Sequence, residues 1–377
     1  MDVLVIGAGM VGAACAYQCA AAGLRVEVVE RGAVASGTTS AGEGNILVSD
    51  KEPGPELDLA LLSGRLWAGL GERLGGERFE LQAKGGVVVA RDGAARSGLA
   101  DLAARQRAGG VDVTEVGPDG LADLEPYLTR DVAGGAYYPQ DLQVQPMLAA
   151  AELLRHAGAT VHAGTEVVGF RRDKAGALTG VRTSKGDLSA RWVVNAAGTW
   201  GGAVAALAGA PVPVLPRRGF ILVTEPLPPV VAHKVYTADY VANVASDDAG
   251  LETSVVVEGT RAGTVLIGAS RERVGFDRTM SLPVLRRLAA QAVGLFPFLA
   301  DVHLLRSYLG FRPYCPDHLP VIGPDPRVPG LVHACGHEGA GIGLAAATGH
   351  LIAQVLTGAT PDLDLTPFRP DRFEAVA

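Results

Sequence analysis

The stretch Val3-Leu4-Val5-Ile6-Gly7-Ala8-Gly9-Met10-Val11-Gly12 decides the fold of this chain. Four aliphatic residues before a glycine turn predict a short buried β-strand, and the turn has the spacing G-x-G-x-x-G. An Ala-rich stretch, 13–22, and the apolar run Val26–Val29 follow, and the second run closes at Glu30. This order of elements predicts a dinucleotide-binding βαβ unit, in which the helix N-terminus faces a pyrophosphate and Glu30 accepts hydrogen bonds from a ribose.

Composition limits the class of protein. The chain has 377 residues, of which 48% are hydrophobic and 19% are charged. A globular chain of this length predicts two domains rather than one. Its 33 basic and 40 acidic side chains leave a net charge of −7. Because phosphate binding needs a basic face, this balance argues against nucleic acid as a partner.

Cysteine usage and hydropathy predict the compartment. The cysteines form neither a C-x-x-C pair nor a metal-ligand spacing, so we expect no disulfide framework and no metal site, and a cytoplasmic location. The apolar first residues lack a basic region, so we expect no signal peptide. The most apolar stretch, 339–356, contains four glycines and several polar residues. It predicts a buried helix, and we expect no transmembrane segment.

Three further stretches favour FAD over NAD as the dinucleotide. The loop 36–45 is rich in hydroxyls and glycine, which suits a second approach to a phosphate or to the flavin ring. The stretch 191–200 predicts a buried strand that returns to the nucleotide domain. The stretch 331–343 predicts a strand that leads into the apolar helix, whose first amides can stabilise the negative charge of a reduced flavin. Since the sequence has no second G-x-G-x-x-G, we expect the substrate to reduce the flavin directly.

Together these motifs resemble those of the D-amino-acid oxidase family of FAD enzymes, over nearly the whole chain. The resemblance rests on the first glycine turn with Glu30 and on four later motifs: Ser36-Gly37-Thr38-Thr39-Ser40, Asn195-Ala196-Ala197-Gly198-Thr199-Trp200, Gly310-Phe311-Arg312-Pro313 and Cys335-Gly336-His337. Within the family, the order and length look like glycine and sarcosine oxidases and like the flavin β subunits of D-hydroxyproline dehydrogenase and opine oxidase. The likeness to those β subunits implies iron-sulfur or flavin partner subunits.

The resemblance implies an α/β fold with a Rossmann-like FAD-binding domain of the glutathione-reductase type and a second, α+β substrate domain built on an antiparallel sheet. The FAD-binding domain is expected to be discontinuous, with segments 1–82, 140–215 and 306–377. The substrate-binding domain is expected at 83–139 and 216–305, where β-branched runs predict the antiparallel sheet.

The motifs and the resemblance also predict the residues that contact FAD. They are Gly7, Gly9, Met10, Val11, Gly12, Glu30, Arg31, Thr38, Thr39, Ser40, Gly44, Asn45, Val167, Ala197, Gly198, Trp200, Gly339, Ala340, Gly341, Ile342 and Gly343.

Arg312 is the leading candidate for substrate binding. Hydride transfer from an α-carbon to flavin N5 needs orientation more than acid-base chemistry if the amine is neutral. A planar cation with two donors is the best partner for a substrate carboxylate. Arg312 lies between Phe311 and Pro313, and it matches the position that binds the carboxylate in glycine oxidase and D-amino-acid oxidase. A structural salt bridge is the alternative.

The remaining predicted catalytic residues lie close to Arg312 or to the glycine-rich helix. Tyr308 and Tyr314 flank Arg312, and His337 would line the flavin. Core packing is the alternative for each tyrosine, including Tyr236 and Tyr240 of the predicted roof.

Three kinds of charged or reactive residue have other expected roles. Glu338 would select a cationic substrate or cap the helix. Arg217 and Arg218 are expected at the domain surface or near a phosphate. Monomeric sarcosine oxidase attaches its flavin to a cysteine in this region, but the aligned position here is Arg312. We therefore expect non-covalent FAD, with Cys315 a packed thiol.

The sequence thus predicts FAD-dependent oxidation of a small amino or imino acid, of the glycine, sarcosine, D-proline or D-hydroxyproline type, to an imine. The electron acceptor is either oxygen or a partner subunit's iron-sulfur or flavin centre. A flavin dehydrogenase of a 2-hydroxy acid and a non-catalytic flavin subunit of an electron-transfer complex are the alternatives. An NAD dehydrogenase would leave the glycine-rich C-terminal helix unexplained.

Overall fold

The structure is a computed structural model, and it describes residues 1–244 and 248–376. The strands in chain order are β1 (Val3–Ile6), β2 (Val26–Val29), β3 (Asn45–Ile46), β4 (Gly86–Ala90), β5 (Thr114–Val116), β6 (Gly134–Tyr138), β7 (Leu142–Gln143), β8 (Thr160–His162), β9 (Val167–Arg172), β10 (Leu178–Thr183), β11 (Gly186–Ser189), β12 (Trp192–Asn195), β13 (Leu215–Thr224), β14 (Lys234–Thr237), β15 (Glu252–Gly259), β16 (Val265–Arg271), β17 (Leu304–Tyr314), β18 (Val321–Pro324) and β19 (Leu331–Cys335).

The α-helices in chain order are α1 (Met10–Ala21), α2 (Pro55–Leu74), α3 (Gly93–Ala108), α4 (Pro118–Leu124), α5 (Pro146–Ala157), α6 (Gly201–Leu207), α7 (Asp239–Val244), α8 (Leu282–Leu295) and α9 (Gly341–Thr357).

A six-stranded sheet with the order β18-β19-β12-β1-β2-β8 carries the glycine turn. Its strands run parallel except for the edge strand β18. Val3 and Val5 of β1 pack into the core beneath the helices, whereas Leu4 and Ile6 pack towards the small sheet β11-β10-β9. Because both faces of the sheet are covered, β1 is apolar at every position.

An eight-stranded sheet with the order β17-β13-β16-β15-β14-β4-β6-β5 forms the second layer of the molecule. Its pairs are antiparallel except for β4 with β14. One face packs on α8, whose buried residues Val284, Leu288, Ala292 and Leu295 follow a helical spacing. The predicted fold class, a Rossmann-like α/β domain with a second α+β domain built on an antiparallel sheet, is confirmed, and the parallel pair β4–β14 is the one departure among the described pairs of that sheet.

The segments expected for the FAD-binding domain contain every strand of the six-stranded sheet. However, the expected boundary at residue 306 lies inside β17. This strand pairs with β13 from Leu304 to Tyr314 and so forms an edge of the eight-stranded sheet. The pairing joins residues about ninety positions apart, which local sequence patterns do not report.

Helix α9 is the buried helix that the sequence predicts, although its length and composition alone would also fit a membrane span. With the preceding turn it covers Glu338–Thr357, and its mean hydropathy of 1.4 over 18 residues meets the length and polarity of a membrane span. However, 61% of that window is buried inside the protein. A Cβ on Gly349 would lie 2.5 Å from the carbonyl oxygen of Ala14, so α9 packs in close backbone contact with α1. This packing is that of a core helix.

Candidate active site

A cavity of about 590 Å³ extends from the glycine turn after β1 to the eight-stranded sheet. One end is lined by the turn, by Glu30 and Arg31, and by Val167. The other end is lined by β13, β17 and the residues before α9, including Arg312. The cavity therefore connects the predicted nucleotide site with the predicted substrate site.

The glycine turn is built by close backbone contacts. Gly7 has φ +107°, a conformation that L side chains rarely adopt, and a Cβ there would lie 2.5 Å from the carbonyl oxygen of Ala196. A Cβ on Gly12 would overlap the carbonyl oxygen of Gly7. Gly9 precedes α1 and has no side chain with which to cap it. Met10 N donates to Thr39 Oγ1, so within the described structure the amides of Val11 and Gly12 are the ones of the first helical turn that remain available to an anion.

Glu30 is held at the end of β2 by two backbone amides. Its Oε2 accepts a hydrogen bond from Ala8 N at 3.0 Å, and its Oε1 accepts one from Gly32 N at 2.7 Å. Each carboxylate oxygen retains a lone pair for a further donor. A ribose hydroxyl is a donor of this kind, so the residue fits its predicted role.

The loop after β2 joins the glycine turn to β17. Thr39 Oγ1 accepts a hydrogen bond from Met10 N at 3.0 Å, while Thr38 Oγ1 donates to Phe311 O at 2.8 Å. Near the cavity wall, the Arg31 guanidinium carbon lies 3.8 Å from the centroid of the Trp200 ring. These contacts hold elements of both sheets around one cavity.

The structure places most of the predicted FAD-contacting residues on the cavity wall. Those that line it are Gly7, Gly9, Met10, Val11, Glu30, Arg31, Thr38, Thr39, Asn45, Val167, Ala197, Gly198, Trp200, Gly339, Gly341 and Ile342. Those that do not are Gly12, Ser40, Gly44, Ala340 and Gly343. Gly12 and Gly44 instead provide close backbone packing, because a Cβ on Gly44 would overlap the carbonyl oxygen of Val144. The roles of all these residues in FAD binding remain predictions.

Arg312 lies on β17 and lines the cavity. Its Nη1 donates to the carbonyl oxygen of Ser270 at 2.8 Å, and within the described residues it forms no ion pair with a carboxylate. Burial and the nearby Arg271 lower its pKa, although a guanidinium stays protonated at neutral pH. A Cβ on Gly219 would overlap Nη1, so this glycine makes room for the guanidinium. The cavity therefore contains a cation with donors left for an anionic ligand.

The two tyrosines that flank Arg312 in sequence do not line the cavity. Tyr308 donates its hydroxyl to Gly42 O at 3.2 Å, and burial raises the pKa of its phenol. Tyr314 is buried, with the guanidinium carbons of Arg273 and Arg217 at 4.9 and 5.5 Å from its ring centroid. Of the two roof tyrosines, Tyr240 lines the cavity and Tyr236 does not.

His337 lines the cavity as a neutral imidazole. It is only 3% exposed, and its Nε2 lies 2.9 Å from Thr348 Oγ1. Thr348 donates its hydroxyl to Leu344 O, so His337 Nε2–H is the donor to Thr348. Burial lowers the pKa of His337 to about 3. The side chain is therefore a weak base at neutral pH.

The structure corrects the expected positions of two arginines. Arg217 is fully buried rather than at a surface, and it pairs with Glu338 at 2.5 Å and with Glu252 at 3.0 Å. Arg218 is also buried and pairs with Glu272 and Asp277. These ion pairs offset the free-energy cost of burying the two guanidinium groups, and they join residues far apart in the chain.

Glu338 also differs from expectation because its carboxylate is already engaged. Besides Arg217, it accepts a hydrogen bond from His318 Nδ1 at 2.9 Å. Burial alone would raise its pKa, but the hydrogen bond from His318 and the charge of Arg217 outweigh burial and lower it. Glu338 lines the cavity as an anion held by two partners.

Cys315 is a buried thiol outside the cavity lining, and burial raises its pKa. Such a thiol is a poor nucleophile. Within the described residues, no group of three or more His, Cys, Asp or Glu side chains is arranged to hold a metal ion.

Several lining residues were missed by sequence reasoning, among them Glu43, Gly219, Ile221 and Arg278. Glu43 belongs to the loop 36–45, so the motif gave its region but not the direction of its side chain. Gly219 and Ile221 lie on β13, and their position depends on the pairing of β13 with β17.

The glycine turn, the open helix N-terminus, the acid at the end of β2 and the continuous cavity fit a dinucleotide such as FAD. This fold and site define a two-domain flavin-dependent oxidoreductase. The chain belongs to the DAO family of FAD-dependent oxidoreductases, whose family model matches residues 2–355. Its cofactor is FAD.

Individual proteins across the family resemble the chain over almost its full length. Hydrogen cyanide synthase subunit HcnC of Pseudomonas aeruginosa is 30% identical over 99% of this chain and 96% of its own length. Glycine oxidase of Pseudomonas putida is 31% identical over 98% of both chains. The crystal structure of glycine oxidase from Geobacillus kaustophilus has a TM-score of 0.88 at 29% identity and covers 98% of both chains.

Proposed function

We propose that this chain oxidises a small amino or imino acid at its α-carbon, with FAD as the hydride acceptor and an imine as the product. The family and the likeness to glycine oxidases support FAD-dependent oxidation of amino acids in general. The observation that carries the proposal is Arg312, a cation without a carboxylate partner among the described residues, on the wall of a cavity of about 590 Å³.

In this proposal, the residues of the chain orient the substrate. Arg312 binds the substrate carboxylate through the donors that Ser270 leaves available, and Gly219 leaves room for the guanidinium. Tyr240 and His337 form walls that exclude water around the α-carbon. FAD supplies the redox chemistry by accepting the hydride, so the main contribution of the protein is positioning.

The open end of the glycine turn would hold the other half of the cofactor. The amides of Val11 and Gly12 at the start of α1 would hold the pyrophosphate, and Glu30 would accept a hydrogen bond from the ribose. Because Cys315 is buried away from the cavity lining, we propose that FAD is bound non-covalently.

A 2-hydroxy acid is a poorer substrate for this site. Oxidation of an alcohol requires removal of its hydroxyl proton, and His337 has its pKa lowered to about 3 by burial. A non-catalytic flavin subunit is the other alternative, and it would tolerate substitution of Arg312.

The acceptor for the electrons is oxygen or the iron-sulfur or flavin centre of a partner subunit. The relative HcnC is named as a subunit of hydrogen cyanide synthase, so a partner subunit is tested as electron acceptor alongside oxygen.

Four free cysteines, all buried, are compatible with the cytoplasmic location that we propose.

The experiment is an anaerobic titration of the purified protein, followed by its flavin absorbance, with glycine, sarcosine, D-alanine, D-proline and cis-4-hydroxy-D-proline. Bleaching by one of them supports the proposal, and the recovery of the absorbance in air then separates an oxidase from a dehydrogenase. Bleaching by glycolate or lactate alone would favour the hydroxy-acid alternative. A protein that no such compound reduces would favour the non-catalytic subunit.

A further inference from the structure

Glu43 is a second charged group on the wall of the cavity that contains Arg312. It follows the 3₁₀ turn Thr38–Ala41, and only 8% of it is exposed. Its Oε2 accepts a hydrogen bond from Asn45 Nδ2 at 3.0 Å, whereas its Oε1 is buried without a hydrogen-bond partner in the described structure. A buried carboxylate with an oxygen that lacks a donor is costly, so this carboxylate on the cavity wall would gain free energy from a donor supplied by a ligand in the cavity.

Lys234 does not remove this need for a partner. Its Nζ lies 2.5 Å from Glu258 and 3.4 Å from Glu43 Oε2, and both Lys234 and Glu258 are almost fully buried. Because Lys234 is closer to Glu258, its charge is shared between two carboxylates. Lys234 therefore neutralises Glu43 only in part, and no described residue donates to Glu43 Oε1.

Glu43 and Arg312 act on the same part of the cavity. Tyr240 lines the cavity together with Glu43 and Arg312. Burial raises the pKa of the Tyr240 phenol, the charge of Glu43 raises this pKa further, and the charge of Arg312 lowers it. A Cβ on Gly268 would lie 2.7 Å from Glu43 Oε1, so β16 leaves space for the carboxylate beside the cavity. One cavity region thus combines a cation, an anion and a phenol.

An amino acid has the complementary charges. Its carboxylate matches Arg312, and its nitrogen is either a cation or a neutral donor. When the α-hydrogen leaves with two electrons as a hydride to the flavin, the nitrogen lone pair forms the C=N bond and the nitrogen becomes a cation. A carboxylate next to this nitrogen therefore stabilises the cationic imine that forms on hydride loss more than it stabilises a neutral amine. A hydroxy acid offers no cationic nitrogen.

We propose that Glu43 binds the substrate nitrogen and stabilises its positive charge, so that the cavity selects amino and imino acids over 2-hydroxy acids. This inference rests on the proposed function and adds the residue that recognises the nitrogen.

The test compares the holoenzyme with the variants Glu43→Gln and Glu72→Gln, the latter an exposed glutamate on α2 that controls for the loss of one charge. Stopped-flow flavin reduction measures the binding constant and the reduction rate for the amino or imino acid that reduces wild type fastest. Perturbation of the flavin spectrum measures the binding of methoxyacetate, which has the carboxylate of sarcosine but an ether oxygen in place of the nitrogen.

We expect Glu43→Gln to lower the ratio of reduction rate to Kd by about 30-fold, the effect of one hydrogen bond to a charged group. Methoxyacetate binding should stay near the wild-type value, and Glu72→Gln should behave as wild type. If Glu43→Gln does not retain FAD, Glu43→Asp replaces it, and an intermediate loss with unchanged methoxyacetate binding is expected.

Two results would overturn the inference alone: wild-type kinetics in the Glu43 variant, or equal weakening of the amino acid and methoxyacetate, which indicates general damage to the cavity. Reduction of the wild type by 2-hydroxy acids and by no amino or imino acid would overturn the proposed function and this inference with it.

Discussion

Replacing Arg312 by lysine would keep a positive charge in the cavity but remove the planar group with two parallel donors. Arg312 uses Nη1 to donate to Ser270 O at 2.8 Å, and among the described residues no carboxylate competes for its other donors. They are therefore available for a substrate carboxylate.

The size of the effect follows from the bonds that each variant loses. A hydrogen bond to a charged group contributes about 1.5–3 kcal/mol, which corresponds to a factor of about 10–150 in affinity. Arg312→Lys should lose one of two such bonds and raise KM by about that factor. Arg312→Met should lose both, and its kcat/KM should fall by about 10²–10⁴.

Steady-state kinetics with the best amino or imino acid substrate provide the assay, and the flavin spectrum shows whether FAD is retained. Arg306→Lys is the matched control, since Arg306 lies on the same strand but is exposed. If Arg312→Lys retains FAD and has the KM of the wild type, Arg312 does not bind the carboxylate. A loss of FAD from this variant would instead assign the residue to the cofactor.

Three other changes have outcomes that the structure predicts. Gly219→Ala should raise KM by about tenfold or more in the same assay, because its Cβ would overlap Nη1 of Arg312. An unchanged KM would show that the guanidinium does not lie where we describe it. Gly12→Ala should weaken FAD binding by about 10–100-fold, measured by fluorescence titration, because its Cβ would overlap the carbonyl oxygen of Gly7; tight binding would contradict the packing of the turn. Burial raises the pKa of Asp141 to about 7, so between about pH 4 and pH 7 the folded protein holds a proton that the unfolded chain has lost. The contribution of this protonated carboxyl to the free energy of unfolding is complete below about pH 4 and is lost as the pH rises to about 7. Thermal unfolding of Asp141→Asn should therefore depend less on pH over this interval than that of the wild type, and parallel profiles would refute the assignment.

The nucleotide-binding unit could be predicted from the sequence because its signals are local. A strand, a glycine turn, a helix and a second strand ending in an acid occur within about thirty residues, and each glycine has a backbone reason that the structure shows at Gly7 and Gly12. The apolar helix α9 could also be predicted from a local stretch of sequence, although its length and hydropathy alone would equally fit a membrane span. Only its packing against α1 shows that it is a core helix.

The candidate site was predictable only in part. The motif around Arg312 gave the position of a cation, and the structure places it in the cavity. Tyr308 and Tyr314 are close to Arg312 in sequence, yet their side chains do not line the cavity. Closeness in sequence does not determine which side chains share a cavity.

The sequence by itself determined the βαβ unit, the acid at Glu30 and the family, since these depend on residue type and short spacing. The tertiary structure alone decided that β17 belongs to the eight-stranded sheet, that Arg217 pairs with Glu252 and Glu338, and that Glu43 faces the same cavity as Arg312. Each of these depends on contacts between distant parts of the chain. Such contacts arise from strand pairing and from the packing of the two sheets, and no local pattern of residues specifies them.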